Sequence, residues 1–110
     1  AEEALRSQGA WDSVRPRLVM GENVSQAAQF AVTGSADAGI FAISLAKSPH
    51  IAPLIRYSVI PEKLHTPLRQ RMVLLKKADR TAEDFYRYMQ TPAARAVMAR
   101  YGFALPGDAD

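Results

Sequence analysis

The chain has 110 residues, 48% of them apolar and 23% charged, with a formal net charge of +3 and no cysteine. That length admits one domain or part of one, in an ordinary globular composition. Disulfides, thiolate metal sites and cysteine nucleophiles are excluded, and no apolar run has the length of a membrane span.

Residues 1–8 read as a helix, with Ala1, Ala4 and Leu5 on one face and Gly9 to end it. The helix starts at the first residue without a cap, and the chain does not begin with Met. The chain is therefore expected to come from something longer. Trp11 to Arg15 predicts one turn, ended by Pro16, and Leu18-Val19-Met20 a short buried strand.

The run Gly21-Glu22-Asn23-Val24-Ser25-Gln26-Ala27-Ala28-Gln29-Phe30 predicts a helix over 24–33. Asn23 is a good N-cap, and Gln26 stands at the capping-box position. Val24, Ala27, Ala28 and Ala31 make an apolar stripe at helical spacing. Gly34 closes the helix, and the almost wholly apolar 38–43 is expected to be a strand covered on both faces. A helix opening at the carboxyl end of a parallel strand leaves free N–H groups in a crevice, a ready place for an anion.

Ser44 to Lys47 predicts a helical turn before Pro49. Leu54 to Ile60 alternates as a half-exposed strand does, and Pro61 ends it. Residues 61–70 form a polar connection, and Met72-Val73-Leu74-Leu75 reads as another buried strand. Thr81 is the expected cap of a helix with Asp84 in the box position and Phe85, Tyr88 and Met89 inward. Thr91-Pro92 opens the last helix, striped by Ala94, Val97, Met98 and Tyr101 and ended by Gly102. The tail after Leu105 is expected to be loose. Helices alternating with apolar strands point to an α/β fold with a mixed, mostly parallel sheet.

Catalytic constellations are missing from the pattern. His50 and His65 have no partner at metal-ligand spacing and read as surface residues. Glu2-Glu3 and Glu83-Asp84 sit in first-turn or exposed helical positions, where they favour the dipole or solvent. No serine lies in Gly-x-Ser-x-Gly, and Gly34-Ser35-Ala36-Asp37-Ala38-Gly39 lacks the Gly-Lys-Ser/Thr of a phosphate loop. Ten of the fourteen Lys and Arg lie from Arg56 onward, yet they are scattered and not interleaved with aromatics. A solvated basic surface fits that better than a nucleic-acid site.

The helix-opening run with Val24, then Gly34 to Ile43, Leu74-Leu75 and the closing Thr91-Pro92-x-Ala94-x-x-x-Met98-x-x-Tyr101-Gly102-Phe103 resemble the periplasmic molybdate-binding proteins of ABC-type uptake systems. Glu3-Ala4-Leu5 and Gly9-Ala10-Trp11-Asp12 fit as well. The likeness runs through nearly all of this chain and covers about the C-terminal half of the family's usual length. It implies part of a type II periplasmic binding fold. Residues 1–71 would belong to the second ligand-binding lobe. Residues 72–110 would form a return strand and closing helices that pack on the first lobe.

The resemblance also implies a site without a cofactor or metal ion. The residue matching Val24 gives its backbone N–H to the oxyanion, beside the cap Asn23. At Ala42 one branch of the family has a tyrosine whose hydroxyl reaches the ligand, and alanine cannot donate. The implied ligand is molybdate or tungstate, the compartment periplasmic and the partner a membrane permease. No enzyme activity and no nucleic acid are implied. The alternative is a related type II lobe for another oxyanion, or a sensor domain. With the closing stripe left uncovered, the 110-residue chain is expected to self-associate.

Overall fold

The computed structural model describes residues 1–107. It separates into two units, Ala1–Leu68 and Arg69–Asp110. Of the tail expected to be loose beyond Leu105, Pro106 and Gly107 form a turn, and 108–110 lie outside the described residues.

The first unit opens with α1, Glu2–Ser7. Glu2 and Glu3 stand in its first turn, where acids suit the helix dipole. Arg6 pairs with Glu2 at 2.8 Å. Gly9 takes φ +67°. Its N–H bonds Arg6 O, and the Ala10 N–H bonds Leu5 O, so the orphan carbonyls of the helix end are satisfied as expected at a glycine stop. α2, Trp11–Val14, runs into a 3₁₀ turn at Arg15–Arg17. Pro16, the expected end of this element, sits inside that turn instead. Its fixed φ and absent N–H suit the start of a helical turn as well as they oppose its middle.

α3, Val24–Val32, and α4, Ile43–Ala46, pack on each other. The residue each buries is small: Ala28 is 0% exposed and Ala46 3%. Gly39 approaches the same stripe closely. A Cβ on it would stand 3.2 Å from Ala31 Cβ and 3.4 Å from Ala27 O. α3 ends at Gly34, φ +78°.

In the second unit, α5 covers Arg80–Tyr88 and α6 covers Pro92–Arg100. Asp79 caps α5, its Oδ1 accepting from the Ala82 N–H at 2.9 Å. Thr81, the expected cap, lies inside the helix instead. Both residues can cap; Asp79 is the one whose backbone is extended, as a cap requires. Thr91 caps α6 as expected, with Pro92 in the first turn. Gly102 at φ +88° stops it, and the Phe103 N–H reaches Met98 O.

The α/β expectation is overturned. Among the described residues there is no strand and no sheet; the elements are six α-helices and three 3₁₀ turns. The stretches 18–20, 38–42, 55–60 and 72–75 are unpaired backbone. Ile43, expected to lie in a strand, opens α4. Nor are these stretches buried: Met20 is 78% exposed, and Val19, Ile40, Val59 and Val73 are exposed too. The physical reason is that alternating or continuous apolar residues define only the faces a strand would present. The ladder itself needs a backbone neighbour far away in sequence. The backbone hydrogen bonds shown outside the helices among the described residues are all local.

The second unit departs from expectation on burial as well. The helical pattern turns Phe85 and Tyr88 inward, but both are exposed, as is Val97. Met72 to Leu75, the α5 residues Phe85 and Tyr86, and Met89 just after α5 line an open apolar groove of about 410 Å³.

Candidate functional site

The opening of α3 is the place where sequence and structure concentrate polar backbone groups. Asn23 has extended backbone, φ −153° and ψ 171°. Its Oδ1 accepts from the Gln26 N–H at 2.9 Å. Gln26 reaches back, but past the cap: its Oε1 accepts from the Glu22 N–H at 2.6 Å. The Ala27 N–H bonds Asn23 O at 3.2 Å. These bonds account for the donors of Glu22, Gln26 and Ala27.

Within α3 itself two donors are left. Among the described residues nothing accepts from the N–H of Val24 or Ser25. Both residues are exposed, as is Asn23. Two adjacent N–H groups at the positive end of a nine-residue helix can hold an anion by hydrogen bonds and by the dipole. The Val24 side chain is an aliphatic group that offers no polar atom, so any contribution of this residue is a backbone one. The Asn23 oxygen is committed to the cap, which leaves its amide nitrogen as a further donor at the same end.

Gly21 shapes this end, a role that the sequence reading does not assign to it. A Cβ there would lie 2.8 Å from Ala27 N and 2.9 Å from Asn23 O, both backbone atoms. Only glycine lets the incoming chain lie against the first turn at that distance. The available signal is a glycine two places before a good cap.

The structure brings Asn23 and Val24 together and places Ala42 elsewhere, at the start of α4. Ala42 is half-buried, and its carbonyl accepts from Leu45 and Ala46. Its methyl group carries no donor. The crevice expected at strand ends is not formed among the described residues, because there is no sheet to form it. The end of α3 faces solvent instead.

The remaining chemistry-bearing residues are taken up locally. Glu83 and Asp84 both lie near Arg87, at 3.9 and 4.0 Å. His50 is exposed, and His65 Nδ1 hydrogen-bonds the Thr66 carbonyl at 2.9 Å. Trp11 lies under the Arg6 guanidinium, 5.0 Å from its ring centre.

Residues 1–104 match the model of a family described as bacterial extracellular solute-binding protein. The molybdate-binding protein ModA of Rhodobacter capsulatus is 32% identical over 107 residues, which is 94% of this chain and 40% of the relative. The protein of the same name in Azotobacter vinelandii is 32% identical over 96% of the chain and 42% of its own length. A putative ABC transporter substrate-binding lipoprotein, YvgL of Bacillus subtilis, is 28% identical over 93% of the chain and 39% of its length. The chain thus spans about two fifths of the length of these curated relatives. No solved structure gives a significant match.

Proposed function

The chain belongs to the bacterial extracellular solute-binding family, and from that premise we propose that it is part of the molybdate- or tungstate-binding component of an ABC importer. Solute capture is a binding task, without covalent chemistry. The receptor would work in the periplasm and deliver its ligand to a membrane permease. The observation that carries the reading is the open end of α3, where the Val24 and Ser25 N–H groups have no acceptor among the described residues. Neutral donors and a helix dipole suit a tetrahedral dianion, and relatives that carry molybdate binding in their names support that choice of ligand.

Val24 is the main ligand-binding residue of the proposal, Asn23 its cap and neighbour. Ala42 would contribute only van der Waals contact. Residues 1–71 are proposed as part of one ligand-binding lobe, and 72–110 as the segment that leads away from it and closes the chain. By itself the 110-residue chain should bind oxyanion weakly. One helix end open to water gains little, because water competes for each hydrogen bond and screens the dipole.

The test is calorimetry with molybdate on the whole receptor that contains this chain. Val24→Pro removes the donated N–H while proline remains acceptable at a first helical position. The extended backbone of Asn23 suits a following proline. Loss of a hydrogen bond to a charged acceptor costs about 1.5–3 kcal/mol, so affinity should fall about 10- to 150-fold. Val24→Ala should bind as the parent does. Equal affinity of the two variants would remove Val24 from the site.

A second reading has its own observation. Ala42 offers no hydroxyl, so a contact that one branch of the resembled family makes there is missing. A related lobe for a different oxyanion is therefore the alternative. Competition by sulfate or phosphate that matches molybdate would favour it.

A further inference from the structure

The bonds made by Glu3 cross more of the sequence than any other side-chain hydrogen bond shown for the described residues. Its Oε1 accepts from the Thr66 N–H at 2.6 Å and from the Thr66 hydroxyl at 2.9 Å, across 63 positions. The Thr66 carbonyl takes the His65 ring at 2.9 Å. Thr66 thus has its N–H, O–H and C=O all engaged. Two residues later the first unit ends, at Leu68.

Beyond Thr66 the chain changes character. Pro67 has a fixed φ and no N–H. Leu68 is 88% exposed, and Arg69, Gln70 and Arg71 are exposed as well. No hydrogen bond is made by residues 67–71 among the described residues. The chain therefore passes from a fully tied residue, through a stiff one, into a free segment.

We infer that the Glu3 carboxylate is an anchor that fixes the chain at Thr66 and so confines the local backbone freedom of this stretch to Leu68–Arg71. A carboxylate oxygen receiving two donors from one residue sets both position and orientation, which a single hydrogen bond does not. Its placement on α1 ties the connector to a helix that is itself closed by Gly9 and by the Arg6–Glu2 pair. The inference does not depend on which solute is bound.

Hydrogen exchange and limited trypsin digestion of the full chain test it. In the parent, the Thr66 amide should be protected, and trypsin should cut first after Arg69 and Arg71 and spare the Lys63–Leu64 bond. Glu3→Ala should speed Thr66 exchange about tenfold or more and add cleavage after Lys63, as expected when a local opening loses its restraint. Glu3→Gln loses the same charge from the first turn of α1 but keeps an acceptor oxygen, so it should stay near the parent. That contrast separates anchoring from a helix-dipole effect. Thr66→Val leaves α1 untouched and removes the hydroxyl donor; added cleavage after Lys63 is expected there too. Parent-like exchange in Glu3→Ala, or parent-like digestion in both Glu3→Ala and Thr66→Val, would overturn the anchor. So would Glu3→Gln behaving as Glu3→Ala does.

Discussion

Both units bury alanines and leave large apolar side chains exposed; they differ in how closely the backbone packs, which is tightest at Gly21 of the first. The first buries Ala28 on α3 and Ala46 on α4, seats Gly21 against the backbone of the first turn of α3, and brings Gly39 close to the Ala31 and Phe41 side chains and the Ala27 carbonyl. Among its described residues the second buries only Ala94, and it too holds large groups at its surface, Phe85, Tyr88 and Val97 among them. Small residues let backbones approach until no side chain can be added, which fixes geometry at little apolar area. Large exposed residues fix nothing by themselves and form the kind of surface that favours association. The difference teaches that side-chain size is a poor guide to structural importance in this chain.

The sharpest way to break that comparison is Gly21→Ala. Its new Cβ has only backbone to push against, so a destabilisation of about 1–3 kcal/mol is expected, as in overpacked interiors. Denaturant unfolding of the first unit measures it. A parent-like midpoint would mean that the loop simply moves away and that the close approach sets nothing.

Caps give a smaller and more graded contrast. Asn23→Ala removes a 2.9 Å bond, Thr91→Ala one of 3.4 Å. The first should cost about 1 kcal/mol and the second about 0.5 kcal/mol, at the lower end of the range for lost caps. Thermal unfolding of the two variants should therefore rank Asn23→Ala below Thr91→Ala. The reverse order would show that α6 depends on its start more than α3 does.

Phe85→Ala should have the smallest effect on folding. It deletes a large ring that is 63% exposed, and exposed positions usually change stability by no more than about 0.5 kcal/mol. Its effect should appear in association instead. Light scattering of the 110-residue chain is expected to show dimers that Phe85→Ala weakens. A strictly monomeric parent would remove the proposal that this surface self-associates, and a large loss of stability would erase the contrast between the units.

Helix ends are the most legible features. Asn23, Thr91, Gly9, Gly34 and Gly102 act as the sequence predicts, because capping and left-handed stops involve atoms within a few residues of one another. The choice between Thr81 and Asp79 is not legible. Two competent caps stand two places apart, and the path of the entering chain selects the one with extended backbone. Pro16 belongs to the same class, since it can close one element or open a turn of the next.

At the candidate site, Asn23 and its bond to Gln26 can be read directly, and with them the free end at Val24. The detour of Gln26 to Glu22 and the tight seat of Gly21 cannot, because both depend on how the chain arrives at the helix. The sequence by itself determined where α3 and α6 begin and where α1, α3 and α6 stop, through interactions that span a single turn. Tertiary structure alone decided that 18–20, 38–42, 55–60 and 72–75 stay unpaired, that Phe85 and Tyr88 face outward, and that Glu3 meets Thr66. Pairing, burial and that carboxylate contact each need a partner remote in sequence, and an apolar pattern names the face that seeks a partner without naming the partner.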